Sequence, residues 1–265
     1  MEDTPPHSAD TDNAAKGSDR KRLLRAFNVS LAFVFLLVVV FTAQSSFDVR
    51  IFSVRPWHIE GLLGVLTAPL LHGSIEHLAA NAVALLILGT LTGTIYPHAA
   101  LRALPLLWIG SGLGAWLLGD RSSYHLGASG LTHGLMFLIF VLGLLRRDRA
   151  SIAAGMIAFL FYGGMLLTVL PFEPGVSWQS HMGGAMAGIL SAFLFRRADP
   201  LPPPPRYSWE DEEDDLQRDD DQELELPRPE NVPTLRQWPE RSSPDVVVPF
   251  PERRTSSSSP EPPSS

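Results

Sequence analysis

Residues 126–147 read LGASGLTHGLMFLIFVLGLLRR. From Leu135 to Leu145 every position is apolar or glycine, and the run stops at the pair Arg146–Arg147. A helix rises about 1.5 Å per residue, so crossing roughly 30 Å of hydrocarbon takes about 20 mostly apolar residues. Leu126–Leu145 supplies that length. One end returns to water through arginines, while the other carries Ser129, Thr132 and His133 into the apolar run. The stretch reads as a membrane span with polar chemistry near one end.

Five more stretches of the same kind lie around it, at about Ala26–Ala43, Ile75–Tyr96, Ala99–Leu118, Ile152–Leu170 and Trp178–Phe195. The first holds the purest run in the chain, Leu31–Phe41. A cleaved signal peptide is the alternative for it, but no convincing small-residue cleavage site follows Phe41 and further spans come after. The expected fold is an all-α membrane protein, a bundle of six transmembrane helices.

Charge divides the chain in two. The formal net charge is −7, but 17 acidic and 7 basic residues lie from Asp199 onward, which leaves 11 acidic and 14 basic residues before it. The acidity belongs to the tail. That tail also holds 15 of the 23 prolines and a run of serines, with too few large apolar residues to offset the entropy of ordering it, so 199–265 is expected to be disordered. The expected organisation is a basic segment 1–25, a membrane domain 26–198 and the tail. Nucleic acid is not an expected partner, because the basic residues are scattered rather than gathered into a phosphate-tracking stripe. The absence of cysteine removes thiolate zinc sites, disulfides and cysteine nucleophiles.

The same charges orient the bundle. Lys16, Arg20, Lys21, Arg22, Arg25, Arg102, Arg146, Arg147, Arg149, Arg196 and Arg197 fall on one side of the six spans, and Arg50, Arg55 and Arg121 on the other. Excess Lys and Arg marks the cytoplasmic side, so both termini are expected there, with loops 47–74, 119–125 and 171–177 facing out.

Polar side chains at membrane depth are costly and mark candidate sites. Ser129 lies 17 residues before Arg146, His181 15 before Arg196 and Asn81 15 before Tyr96, which sets all three roughly 22–25 Å from the cytoplasmic ends of their spans. His77 is one turn further out. Three helices thus bring four hydrogen-bonding groups to one level. Gly127, Gly130 and Gly134 surround the serine, and Gly184 and Gly188 follow the histidine, a spacing that lets helices approach closely in lipid. Two other pairs at this spacing, Gly89/Gly93 and Gly110/Gly114, read as ordinary packing faces. A serine hydroxyl becomes a nucleophile when a base takes its proton. The body's carboxylates (Asp48, Glu60, Glu76, Asp120, Asp148, Glu173) all sit at span ends or in loops, so no aspartate is available to orient the imidazole. The chemistry expected is a Ser129/His181 dyad, with His77, Asn81 and the Ser129 amide as donors for a developing oxyanion.

In combination these residues resemble the rhomboid family of intramembrane serine proteases. His72, His77 and Asn81 resemble its His-x4-His-x3-Asn in the second span, Gly127-Ala128-Ser129-Gly130 its GxSG in the fourth, and His181-x2-Gly184-x3-Gly188 its His-x2-Gly-x3-Gly in the sixth. The resemblance implies Ser129 as nucleophile, His181 as general base and then acid, and His77, Asn81 and the Ser129 amide as the oxyanion hole. It implies no cofactor or metal, and single-pass membrane proteins as substrates, cut near their outer end beside small residues. It also implies that loop 47–74, with Arg55-Pro56-Trp57, lies partly in the outer leaflet. Span five and the loop Pro171–Trp178 would be the gate and cap, with Gly163 and Gly164 as points where the gate helix could loosen or simply pack. A six-span form implies a bacterial inner membrane. The sequence departs from the family at His133, where an aromatic often stacks on the catalytic histidine. His133 is also a rival base, being one turn from Ser129; alanine there is expected to leave activity largely intact, and alanine at 181 to abolish it.

Three other readings stay open at this stage. One is a polytopic bundle in which the polar groups are interhelical hydrogen bonds worth about 1 kcal/mol each. Another is a non-catalytic relative that binds and escorts membrane clients. The third is a metal enzyme built on the outer histidines, which lacks a H-E-x-x-H pattern.

Overall fold

The computed structural model describes residues 7–171 and 175–200. The expected disorder of the acidic tail past Pro200, and the middle of the 171–177 loop, fall outside the described residues.

Seven α-helices form the described chain: α1 (His7–Ala43), α2 (Leu62–Thr67), α3 (Ile75–Ile95), α4 (Pro97–Leu118), α5 (Ser129–Arg146), α6 (Arg149–Tyr162) and α7 (Trp178–Phe195). Short 3-10 turns flank α2, and a seven-residue 3-10 segment, Gly163–Val169, continues α6. Among the described residues, five helical stretches are long and apolar enough to cross a membrane: Gly17–Ser46, Ile75–Ile95, Pro97–Leu118, Ser129–Arg146 and Arg149–Val169. The protein is an integral, multi-pass membrane protein. The expected sixth span forms as a helix at Trp178–Phe195, but with Gln179, Ser180 and His181 in its first turn it falls short of the apolar character of a spanning helix. The reason is its position: it turns Ser180, His181, Gly184, Gly188 and Ser191 inward and exposes Met186, Leu190, Phe193 and Leu194. Only one face has to match lipid.

Local sequence sets the helix ends. Ser74 caps α3 by accepting from the amide of His77 at 3.2 Å, with Glu76 in the first turn favouring the positive end of the dipole. Asp148 caps α6 by accepting from the Ser151 amide at 3.0 Å. α4 starts with Pro97 and is capped by a residue about a hundred positions away in the chain, where the Asp199 carboxylate accepts from the amides of His98 and Ala99, each at 2.9 Å. α5 stops at Arg147, whose φ of 58° is left-handed.

The core runs through Leu37, Leu88, Leu107, Leu138, Ile139 and Leu142, all fully buried. Phe35, Leu101 and Leu160 are instead 68%, 72% and 80% exposed. A belt of such residues is what a lipid-facing surface requires and more than a water-facing one carries. Loop 47–74 presents Ile51, Trp57, Ile59, Leu63 and Leu66 outward, consistent with its expected seat beside lipid.

Small residues decide how closely helices pack. A methyl on Gly184 would meet the backbone of Gly130, and one on Gly188 the backbone of Gly134. On the other side of α7, Gly183 lies against Gly110 and Gly114 of α4. Glycines thus set α7 against two helices at backbone contact, and Gly110/Gly114 belong to that seam. Gly89 and Gly93 pack on Ser30 and Ala26, holding α3 against α1.

Candidate active site

Ser129 is the first residue of α5. The chain reaches it through Gly127, whose φ of +117° favours glycine and whose missing side chain leaves room for the His77 ring; an added Cβ would lie 2.5 Å from its Cε1. The Gly127 amide donates to the Ala68 carbonyl at 2.9 Å, which ties this turn to loop 47–74. Gly130 leaves space for a buried hydrogen bond of 2.8 Å between Ser111 of α4 and Ser180 of α7.

The seam between α5 and α7 places His181 Nε2 2.8 Å from Ser129 Oγ. Its Nδ1 is 3.0 Å from the Thr168 carbonyl oxygen. A carbonyl can only accept, so Nδ1 carries the proton and donates; Nε2 then presents its lone pair, and the Ser129 hydroxyl donates to it. This is the tautomer a general base needs. Thr168, in the 3-10 segment that follows α6, stands where an aspartate would be sought. Nothing in the residue types points to it, because the acceptor is a backbone oxygen that every residue carries.

His133 lies flat on His181, with ring centroids 3.8 Å apart and planes 14° from parallel. Its Nδ1 donates to the Ser129 carbonyl at 2.6 Å. Its Nε2 is 2.9 Å from the Thr168 hydroxyl, which also reaches the Met165 carbonyl at 3.0 Å. Both ring nitrogens of His133 are therefore occupied away from Ser129 Oγ. One threonine touches both histidines, through its oxygen to one and its hydroxyl to the other.

His77 and Asn81 line the same cavity as Ser129, Thr168 and His181, a space of about 1200 Å³ bordered also by Asp120, Tyr124 and Ser177. Neither bonds the serine; Asn81 Nδ2 donates to the His77 carbonyl at 3.0 Å. His72 is buried behind them, edge-on to His77 at 5.1 Å, and Gln44 clamps its backbone with hydrogen bonds of 2.8 and 2.9 Å. At the rim, His125 links Ser123 (2.8 Å) to Ser177 (2.7 Å), pinning the chain just before α7. Burial holds the His125 ring below the ordinary histidine pKa. Among the described residues, no three His, Asp or Glu side chains stand close enough together to hold a metal ion.

Residues 59–198 match the family profile described as the Rhomboid domain. An uncharacterized protein of Mycobacterium tuberculosis is 40% identical over 176 residues, covering 62% of this chain and 72% of the relative. An uncharacterized protein of Mycobacterium leprae is 38% identical over 150 residues, covering 54% and 59%. A protein of Acanthamoeba polyphaga mimivirus carrying a rhomboid designation is 25% identical over 182 residues, covering 66% and 92%.

Proposed function

Starting from the fact that the chain belongs to the rhomboid family of intramembrane proteases, we propose that it is an active serine endopeptidase whose nucleophile is Ser129 and whose base is His181. The observation that carries this reading is the 2.8 Å contact between His181 Nε2 and Ser129 Oγ, with Nδ1 committed to a carbonyl.

The steps follow from that geometry. The Ser129 proton passes to His181 Nε2 as Oγ bonds the scissile carbonyl carbon. The Nδ1–H bond to the Thr168 oxygen steadies the imidazolium that results, in the manner of an orienting third member. The Ser129 amide, at the start of a helix, has no intrahelical acceptor and is free to donate to the oxyanion; His77 and Asn81 donate from α3. Each such donor is worth roughly 10²- to 10³-fold in rate. His181 then returns its proton to the leaving amine, which departs and leaves an acyl-enzyme on Ser129. Water, deprotonated by the same histidine, releases the new carboxylate and restores the hydroxyl.

The substrates are single-pass membrane proteins that enter from the bilayer and unwind near its outer face. The concentration of Lys and Arg on the side of the termini supports a cytoplasmic location for both, in a bacterial inner membrane. The test is cleavage of a model single-pass substrate by the full chain in vesicles. Wild type should cut, Ser129→Ala should not, and a fluorophosphonate should label Ser129 alone. Equal cleavage by Ser129→Ala would overturn the dyad, and binding without cleavage by wild type would favour an escort role.

A further inference from the structure

A second cavity, of about 790 Å³, lies on the opposite side of the bundle, between α1 and α4 with α3 at its back. On α1 it is lined by Arg22, Arg25, Ala26, Val29 and Phe33, a spacing of three and four that forms one stripe along a helix. The stripe is polarised along its length, with two cations at the end toward the N-terminus and apolar side chains above them. Phe33 meets Trp108 of α4 at 5.8 Å and closes the top. From Arg22 to Phe33 the helix rises about 16 Å, close to the ~15 Å of one leaflet's hydrocarbon.

Charge is equally specific. The facing rim holds His98, whose amide and Nδ1 are already bound by the Asp199 carboxylate, at 2.9 and 2.7 Å. Asp199 is thus engaged by the α4 N-terminus and His98. Among the described residues neither Arg22 nor Arg25 forms an ion pair, and both are exposed at the mouth. α1 and α3 are in close contact at Gly89 and Gly93, and the groove lies between α1 and α4.

We propose that this groove binds an anionic phospholipid of the leaflet on the N-terminal side of α1. Arg22 and Arg25 hold the phosphate, and an acyl chain lies between α1 and α4 up to Phe33 and Trp108. Leu131 and Leu135 of α5 form part of the lining, so the bound chain rests on the back of the helix that begins with Ser129. The inference is independent of the catalytic reading.

Trp108 is a built-in reporter. The full chain is placed in phosphatidylcholine vesicles containing an equal fraction of brominated phosphatidylglycerol or brominated phosphatidylcholine, and the difference from Trp108→Phe isolates the Trp108 emission. At roughly 1 kcal/mol per basic residue near the surface, one or both arginines give a preference for the anionic lipid on the order of five- to thirty-fold. Arg22→Gln/Arg25→Gln should erase it, whereas Arg20→Gln/Lys21→Gln, the same charge change on residues outside the groove, should leave it. Ala100→Phe, which fills the groove wall without changing charge, should lower quenching by the anionic lipid. Equal quenching by both lipids in wild type, or equal loss in the two charge variants, would overturn the site and reduce it to general attraction at the surface. A variant that fails to fold also loses quenching by brominated phosphatidylcholine, and Ala100→Phe then decides.

Discussion

α7 and the α6 segment both border the cavity at Ser129, yet near the site they are held differently. α7 sits at backbone contact with two helices through Gly183, Gly184 and Gly188. α6 packs on α5 where Gly155 meets Gly143, but further along it presents Leu160 and Phe161 outward, and its α-helix gives way at Gly163 to a 3-10 segment that carries Thr168. The histidine is on the fixed element and its orienting carbonyl on the looser one. The Ser129–His181 distance is therefore a property of the seam, while the tautomer and ring angle of His181 depend on the looser neighbour.

The largest expected effect comes from breaking the fixed side. Gly184→Val sets a branched side chain where even a methyl would meet the Gly130 backbone. Overpacking typically costs about 1–3 kcal/mol, and more where backbone has to move. We expect loss of the folded protein in detergent, read by thermal unfolding, and with it all cleavage. A stable variant that still cleaves would show that α7 is not locked by this contact.

Next is the stack that joins the two sides. His133→Ala removes a ring that lies 3.8 Å from His181; such contacts are worth about 0.5–1.5 kcal/mol, so kcat should fall by about tenfold or less. His133→Phe should recover most of it, because the stack needs a flat ring and not an imidazole. Loss as complete as that of His181→Ala would make His133 the base instead.

Smaller still is Thr168→Val. The valine keeps the carbonyl that accepts from His181 Nδ1 and loses only the hydroxyl that faces His133. A neutral hydrogen bond contributes about 1 kcal/mol, so a fall of a few-fold in kcat with little change in KM is expected. A loss of several orders of magnitude would mean that the hydroxyl, and not the carbonyl, orients the site.

The sequence and the structure divide along the same line. The seam was legible because its signal is residue type at fixed spacing: glycines beside a serine and a histidine at matched depth in two apolar runs. The helices were legible for the same reason, except that the first begins at His7, far ahead of the apolar run that marks its span. Thr168 was not legible, since the search for an orienting group is a search for carboxylates and the acceptor is main chain. Nor was the groove beside Arg22 and Arg25, which depends on how far α1 and α4 stand apart. Gly163 and Gly164 were visible as a point of weakness, but whether they pack or change the helix type is decided by backbone geometry.

That geometry supports the last prediction. An α-helix turns about 100° and rises 1.5 Å per residue, against roughly 120° and 2.0 Å for a 3-10 helix. Over the five residues from Gly163 to Thr168, the two differ by about 100° of rotation and 2.5 Å of rise. Were this segment to continue as α-helix, the Thr168 carbonyl would turn away from His181 Nδ1. Gly164 has nothing within 4 Å of where a Cβ would stand, so Gly164→Ala introduces no clash and adds up to about 1 kcal/mol in favour of α-helix. We expect the unfolding temperature to hold or rise while kcat drops a few-fold, a separation that loss of packing would not produce. An unchanged kcat in a variant of raised stability would show that the 3-10 turn is dispensable for orienting the base.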